Sequence, residues 1–137
     1  MDSKTVLAID PGAAKCGMAI VRRDESGQLQ LVWRKVARRD NLLASLDEAL
    51  TAAPFSLTIV GAGTGSRPLI DELRSAHPSW GILVVDEKDT TLQARERYWE
   101  HVKRTGWRRL VPASLQVPPE PFDDFVAMIL AERVLAG

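Results

Sequence analysis

The spacing between apolar runs changes about a third of the way along this chain, and that change constrains the fold more than any composition figure. Lys4 to Asp10 is a short apolar run stopped by Pro11-Gly12, a turn signal. Cys16 to Arg22 is a second run, and Asp24-Glu25-Ser26-Gly27 reads as a hairpin loop. Leu29, Leu31 and Trp33 then alternate with Gln28, Gln30 and Val32. This pattern predicts an antiparallel meander of three strands.

Beyond it, strands alternate with helices. Asp40 reads as the N-cap of a helix carrying Leu42, Leu43, Leu46 and Leu50 at helical spacing, ended by Pro54. Leu57 to Val60 is a buried strand running into Gly61-Ala-Gly-Thr-Gly65. A short helix opens at Ser66 or Arg67, with Pro68 near its first turn and Pro78 closing it. Ile82 to Val85 is another apolar strand. Thr90-x-x-Gln93 resembles a capping box heading a long polar helix to about Arg104, a proline-punctuated loop covers Val111 to Pro121, and a last helix runs from about Phe122 to Leu135. The order βββ-α-β-α-β-α-α predicts an α/β fold. Its mixed five-stranded sheet has the three antiparallel strands first, helices on both faces, and right-handed crossovers between the later strands.

At 137 residues and 45% hydrophobic content, the chain can bury one proper core, so residues 1–137 are expected to form a single domain. Its 18 basic and 18 acidic residues cancel, so any affinity for nucleic acid must come from how charge is distributed. A lone cysteine, Cys16, cannot form an internal disulfide and is expected to be a small buried hydrophobe in a reducing compartment. No run of about 18 apolar residues is present, and the first residues lead straight into a strand. The expectation is a cytoplasmic protein with no membrane partner.

Acidic residues carry the chemistry. Asp10 directly follows Val6-Leu7-Ala8-Ile9, so it is drawn toward the interior and needs a partner. Mg²⁺ or Mn²⁺ is a fitting, oxygen-seeking one. Asp86 and Glu87 end a later strand, where alternation sends them to opposite faces and allows only one to be a ligand. Asp123 and Asp124 open the last helix. With Phe122, Phe125, Val126, Ile129 and Leu130 as its buried stripe, Asp123 lies nearer that stripe, although either aspartate could simply complement the helix dipole. Three such sites suggest a nuclease-like metal centre more than a salt bridge.

Other features point less far. Gly61-x-Gly-x-Gly65 lacks dinucleotide-fingerprint spacing and follows no opening βαβ unit, so it reads as a plain turn or a backbone approach to nucleic acid. Arg95, Arg97, Lys103, Arg104, Arg108 and Arg109, interleaved with Tyr98, Trp99 and Trp107, suit phosphate contact and base stacking or, equally, a solvated helix face. His77 and His101 are too isolated to be zinc ligands.

Several stretches, taken together, resemble one family. Asp10-Pro-Gly-Ala-Ala-Lys-Cys-Gly17 is similar to the Asp-x-Gly-x-x-Arg-x-Gly opening of the YqgF/RuvX group, relatives of the RuvC Holliday-junction resolvases in the ribonuclease H-like superfamily. Asp86-Glu-Lys-Asp-Thr-Thr-Leu-Gln-Ala94 resembles that group's Asp-Glu-Arg-x-Thr-Thr-x-x-Ala stretch. Ile59-Val-Gly61 resembles its strand entering a glycine turn, and Asp123-Asp-Phe-Val-Ala-Met-Ile-Leu-Ala131 its closing helix. Lys15 and Lys88 stand where the group has arginines; they keep the charge and lose the bidentate fork.

The resemblance implies a ribonuclease H-like fold and a metal-dependent nuclease that processes the 5′ end of pre-16S ribosomal RNA. Asp10, Glu87 and Asp123 would be the catalytic, metal-holding acids, with Asp86 and Asp124 as alternates. Lys15, Lys88, Thr90, Thr91, Arg95, Arg97, Lys103 and Arg104 would contact nucleic acid, either structured RNA or branched DNA. One alternative is a Holliday-junction resolvase, for which a homodimer rather than a monomer is expected. Another is a non-catalytic nucleic-acid-binding domain that keeps the fold.

Overall fold

The computed structural model describes residues 3–63, 65–86, 93–94 and 123–136. Within them the chain forms strands β1 (Lys4–Asp10), β2 (Lys15–Arg23) and β3 (Leu29–Arg38), then helix α1 (Leu42–Ala52), strand β4 (Leu57–Gly61), helix α2 (Ser66–Ala76), strand β5 (Ile82–Val85) and helix α3 (Asp123–Ala136). The sheet order is β3-β2-β1-β4-β5. β1, β2 and β3 pair antiparallel, while β4 and β5 extend the sheet parallel to β1. This is the α/β architecture expected: a mixed five-stranded sheet, with α1 and α2 on one face and α3 on the other.

Burial explains the order. Val6, Leu7, Ala8 and Ile9 of β1 are all fully buried, as a central strand covered on both faces requires. Alternation divides them. Val6 and Ala8 join Ala19, Val21, Ile59 and the apolar side chains of α3 in one cluster, while Leu7 and Ile9 join Met18, Ile20, Leu42, Leu46, Leu69 and Leu73 in the other. Cys16 is buried in this second cluster and forms no disulfide. β5 is an edge strand and leaves Leu83 and Val84 exposed.

Three local expectations are corrected. First, β3 continues to Arg38 and carries a bulge: Ile20 pairs with Trp33 but Val21 with Leu31, leaving Val32 as an extra residue. The bulge reverses the facing of the rest of the strand. Leu29 packs on the α3 side, whereas Trp33 and Ala37 pack on the α1/α2 side. Leu29, Leu31 and Trp33 therefore do not share a face, and Arg34, Val36 and Arg38 turn toward α3.

Second, Asp40 does not cap α1. It lies in a 3-10 turn, Arg39–Asn41, and its carboxylate accepts from Arg38 Nη2 at 2.9 Å instead. Third, α3 has no single buried stripe. Every residue from Asp124 to Ala131 is buried, because the helix is apolar nearly all round.

Candidate active site at the end of the central strand

Asp10 ends β1, the middle strand of the sheet, and is partly buried. As an even-numbered residue it shares the face of Val6 and Ala8, the face on which α3 packs. Its partner across β2 is Gly17. On the β4 side Ile9 pairs with Val60, so Gly61 stands level with Asp10. Neither neighbour has a side chain. The Asp10 carboxylate therefore projects at the rim of the sheet with no side chain level with it on either adjacent strand.

The turn after Asp10 is tightly built. A Cβ on Gly12 would lie 2.3 Å from the Lys15 carbonyl oxygen, a backbone atom that cannot step aside, so the position requires glycine. Gly65, at φ +88°, caps the start of α2, and a Cβ there would meet the Gly12 carbonyl at 3.6 Å. The two glycine segments that stood apart in the sequence thus touch beside Asp10. Gly61-x-Gly-x-Gly65 serves as a strand-to-helix turn whose last glycine adopts the left-handed conformation.

α3 meets the same face through a polar anchor. Asp124 is 3% exposed, and Arg34 Nη1 donates to its Oδ2 at 2.7 Å. The Phe125 amide donates to Asp124 Oδ1 at 3.0 Å, while the Arg34 guanidinium lies 4.9 Å from the Phe125 ring centre. The first turn of α3 is thereby clamped to β3. The clamp depends on the bulge at Val32, without which Arg34 would face the opposite side. Arg34 was missed by sequence reasoning; the unbroken trio Leu31-Val32-Trp33 is the one sign that alternation fails there.

Asp86 comes directly after Val85. Val85, the last residue of β5, packs in the α3-side cluster. Asp86 is exposed, and its carbonyl accepts from Arg133 Nη1 at 3.4 Å. Lys15 is exposed at the start of β2. Glu87, Lys88, Thr90, Thr91, Arg95, Arg97, Lys103, Arg104 and the Asp123 side chain lie outside the described residues. Among the described residues no three His, Cys, Asp or Glu side chains form a group that could hold a metal ion.

Two hollows flank the sheet. At the Asp10 end, an open cavity of about 550 Å³ is lined by Ala13, Ala14, Lys15, Arg38, Arg39 and Asp40. At the other end, one of about 230 Å³ is lined by Phe55, Ser56, Leu57, Thr58, Ser79, Trp80 and Gly81. Trp80 there takes the edge of Phe55 at 5.2 Å and stacks with His77 at 3.8 Å, so His77 belongs to an aromatic cluster. That second cavity has no acid in its lining. Among the described residues no helix is long and apolar enough to cross a membrane.

No family model matches the sequence, and no curated protein matches it either. Solved structures do match. The fowlpox virus Holliday junction resolvase is 13% identical with a TM-score of 0.57, and the match covers 96% of this chain and 99% of that one. Thermus thermophilus RuvC, solved in complex with a Holliday junction substrate, is 15% identical with a TM-score of 0.58, covering 93% and 90%. At such identities the likeness is one of fold. It is the RuvC-like, ribonuclease H-like fold, and it extends over nearly the whole of both chains.

Proposed function

We propose that this chain is a divalent-metal-dependent nuclease that hydrolyses phosphodiester bonds in branched or structured nucleic acid. The observation carrying this reading is the setting of Asp10, a carboxylate ending the central strand of a RuvC-like sheet with glycine on both sides. Glycine stands at both ladder positions, so no side chain of an adjacent strand stands level with this carboxylate, which supports a role for it in holding an ion and a substrate phosphate.

The residues fit a hard cation in part. Asp10 offers oxygen ligands at the sheet rim, and the resemblance of Asp86–Ala94 to the Asp-Glu-Arg-x-Thr-Thr stretch supports Glu87 as the ligand of that pair. Asp124 is already neutralised by Arg34, which supports Asp123 as the acid contributed by α3. Asp10, Glu87 and Asp123 would hold Mg²⁺ or Mn²⁺, which in such centres activates water and stabilises the leaving oxygen. The protein's own part is to keep Asp10 fixed, through the Gly12 turn, and to bring the acidic end of α3 to the same face through Arg34.

Among substrates, a four-way DNA junction is supported by the near full-length likeness to two junction resolvases. A second reading, 5′-end processing of pre-16S ribosomal RNA, is supported by the order of the motifs at Asp10–Gly17 and Asp86–Ala94. A panel of labelled four-way junction, single strands and ribosomal precursor, each with Mn²⁺, tests both against wild type and Asp10→Asn. Metal-dependent cleavage lost in Asp10→Asn is the expected outcome, and the preferred substrate assigns the role. Nucleic-acid binding with no cleavage of any substrate would leave a non-catalytic binding domain.

A further inference from the structure

We propose that Lys15 and Arg38 form a phosphate-binding pair that holds the nucleic-acid backbone next to Asp10. The proposal rests on the nuclease reading above and adds to it a defined surface, including a residue, Arg38, that no motif singles out. Lys15 and Arg38 are direct cross-strand partners at the end of the β2–β3 ladder. Lys15 shares the face of Gly17, the partner of Asp10. The bulge at Val32 brings Arg38 to that face as well, alongside Arg34.

Two like charges placed opposite each other on neighbouring strands oppose folding. A bound anion removes the conflict. Asp40 relieves it only partly: its contact with Arg38, at 2.9 Å, joins side chains that are 69% and 77% exposed. A pair so open to water is weakly held, and a phosphate can displace the carboxylate from the guanidinium fork.

The surroundings are already shaped. The loop beneath the pair is fixed by the Gly12 turn and by the Arg39 amide, which donates to the Ala14 carbonyl at 2.8 Å. Arg39 itself is committed to Glu72 at 2.6 Å and acts as a strut rather than a ligand. Ala13 and Ala14 contribute small side chains to the 550 Å³ cavity and leave space for a sugar-phosphate chain. Lys15 lies two residues along β2 from Gly17, or about 7 Å at strand rise, so the pair would take a phosphate neighbouring the one at Asp10. Both RNA and DNA present that group.

The test is the salt dependence of binding, measured in EDTA so that no probe is cleaved. The probes are a labelled four-way DNA junction and a single-stranded RNA 20-mer. Lys15→Gln and Arg38→Gln should each weaken binding on the order of tenfold at about 50 mM salt. Each should also reduce the slope of log K against log salt by about 0.9 on the junction or about 0.7 on single-stranded RNA. Lys4→Gln removes the same charge at the far end of β1 and should leave both quantities unchanged. Lys15→Gln should also melt no lower than wild type, because it removes a like-charge conflict; a purely structural lysine would behave oppositely.

Slopes equal to wild type in both variants would overturn the pair, as would an equal effect of Lys4→Gln or wild-type protein that binds neither probe. The nuclease reading fails separately. If wild type cleaves nothing with Mn²⁺ while Lys15→Gln and Arg38→Gln lose slope, the anion pair stands and the catalytic role falls. The probe whose slope falls by its full expected amount, about 0.9 for the junction or about 0.7 for single-stranded RNA, identifies the nucleic acid that the pair serves.

Discussion

Asp10 and Asp124 are both carboxylates on the α3 side of the sheet, and the structure treats them in opposite ways. Asp124 is enclosed, salt-bridged to Arg34 at 2.7 Å and bonded to the Phe125 amide. Asp10 is partly open, with Gly17 and Gly61 where flanking side chains would stand. One acid is matched to a cation from a neighbouring strand; the other has glycine at both of the corresponding positions. The contrast is one of setting: Asp124 is enclosed against a guanidinium, while Asp10 stands partly open at the sheet rim between two glycines.

The largest expected effect tests that contrast directly. Asp10→Asn should lower Mn²⁺-dependent cleavage by at least about 10²-fold, the scale of losing one preorganised electrostatic stabiliser, while the denaturation midpoint stays near wild type. Asp124→Asn should lower stability and cost cleavage far less than Asp10→Asn does, because it loosens the clamp on α3 without removing a proposed ligand. If Asp124→Asn lost as much cleavage as Asp10→Asn, the two acids would not differ in kind and Asp124 would be a ligand.

Next in size is the Arg34 clamp. Arg34→Met takes the guanidinium from a carboxylate whose side chain is 4% exposed and leaves it the Phe125 amide, whereas Asp124→Asn loosens an arginine whose side chain is 38% exposed and already reaches water. The first should therefore cost about 2–3 kcal/mol and the second about 1 kcal/mol, both below the range for a fully buried pair because solvent reaches the guanidinium. Urea denaturation of the two variants measures the asymmetry. Equal losses would mean that the contact is worth little beyond its surface value.

Gly12→Ala probes the scaffold of Asp10 alone. Its methyl group would sit 2.3 Å from the Lys15 carbonyl oxygen, so the turn must shift, at a cost of about 1–3 kcal/mol. Because Asp10 precedes that turn by two residues, cleavage should fall further than the stability loss explains at a temperature where the protein remains folded. Rates unchanged under those conditions would show that the turn is not what holds Asp10.

Much of this arrangement could be read from the sequence, for identifiable reasons. Val6-Leu7-Ala8-Ile9 announces a strand buried on both faces, and Asp10-Pro11-Gly12 announces where it stops, so fold class and first acid came from local signals. Arg34 and Arg38 could not be placed, because one extra residue at Val32 inverts every later side chain without any change of composition. The cap expected of Asp40 failed because a 3-10 turn, Arg39–Asn41, leads into α1 and puts Asn41 rather than Asp40 at the N-cap position. On α3, helical periodicity placed Asp123 nearer the buried stripe, and periodicity has little force where every residue from Asp124 to Ala131 is buried. The cation that meets Asp124 is Arg34, ninety residues away in sequence.

The smallest effect belongs to a third acid, placed at the opposite end of β2 from Asp10's partner. Asp24 opens the β2–β3 loop, and its Oδ1 accepts from the Ser26 hydroxyl at 2.6 Å, the Gln28 amide at 2.9 Å and the Ser26 amide at 3.0 Å. The Ser26 hydroxyl, helped next by the Gln28 amide, holds this carboxyl below its ordinary value of 3.8. The folded form therefore favours the ionised group. The stabilisation is complete above the ordinary carboxylate range and is lost as pH falls through the depressed folded value. Because the group lies in a surface loop, the effect should stay local. Protection factors, taken relative to the intrinsic exchange rate at each pH, should fall in acid at the Ser26 and Gln28 amides but not in β1, and Asp24→Asn should abolish that pH response. A loss of protection in acid that spread into β1 would show that the loop and the Asp10 strand are one cooperative unit.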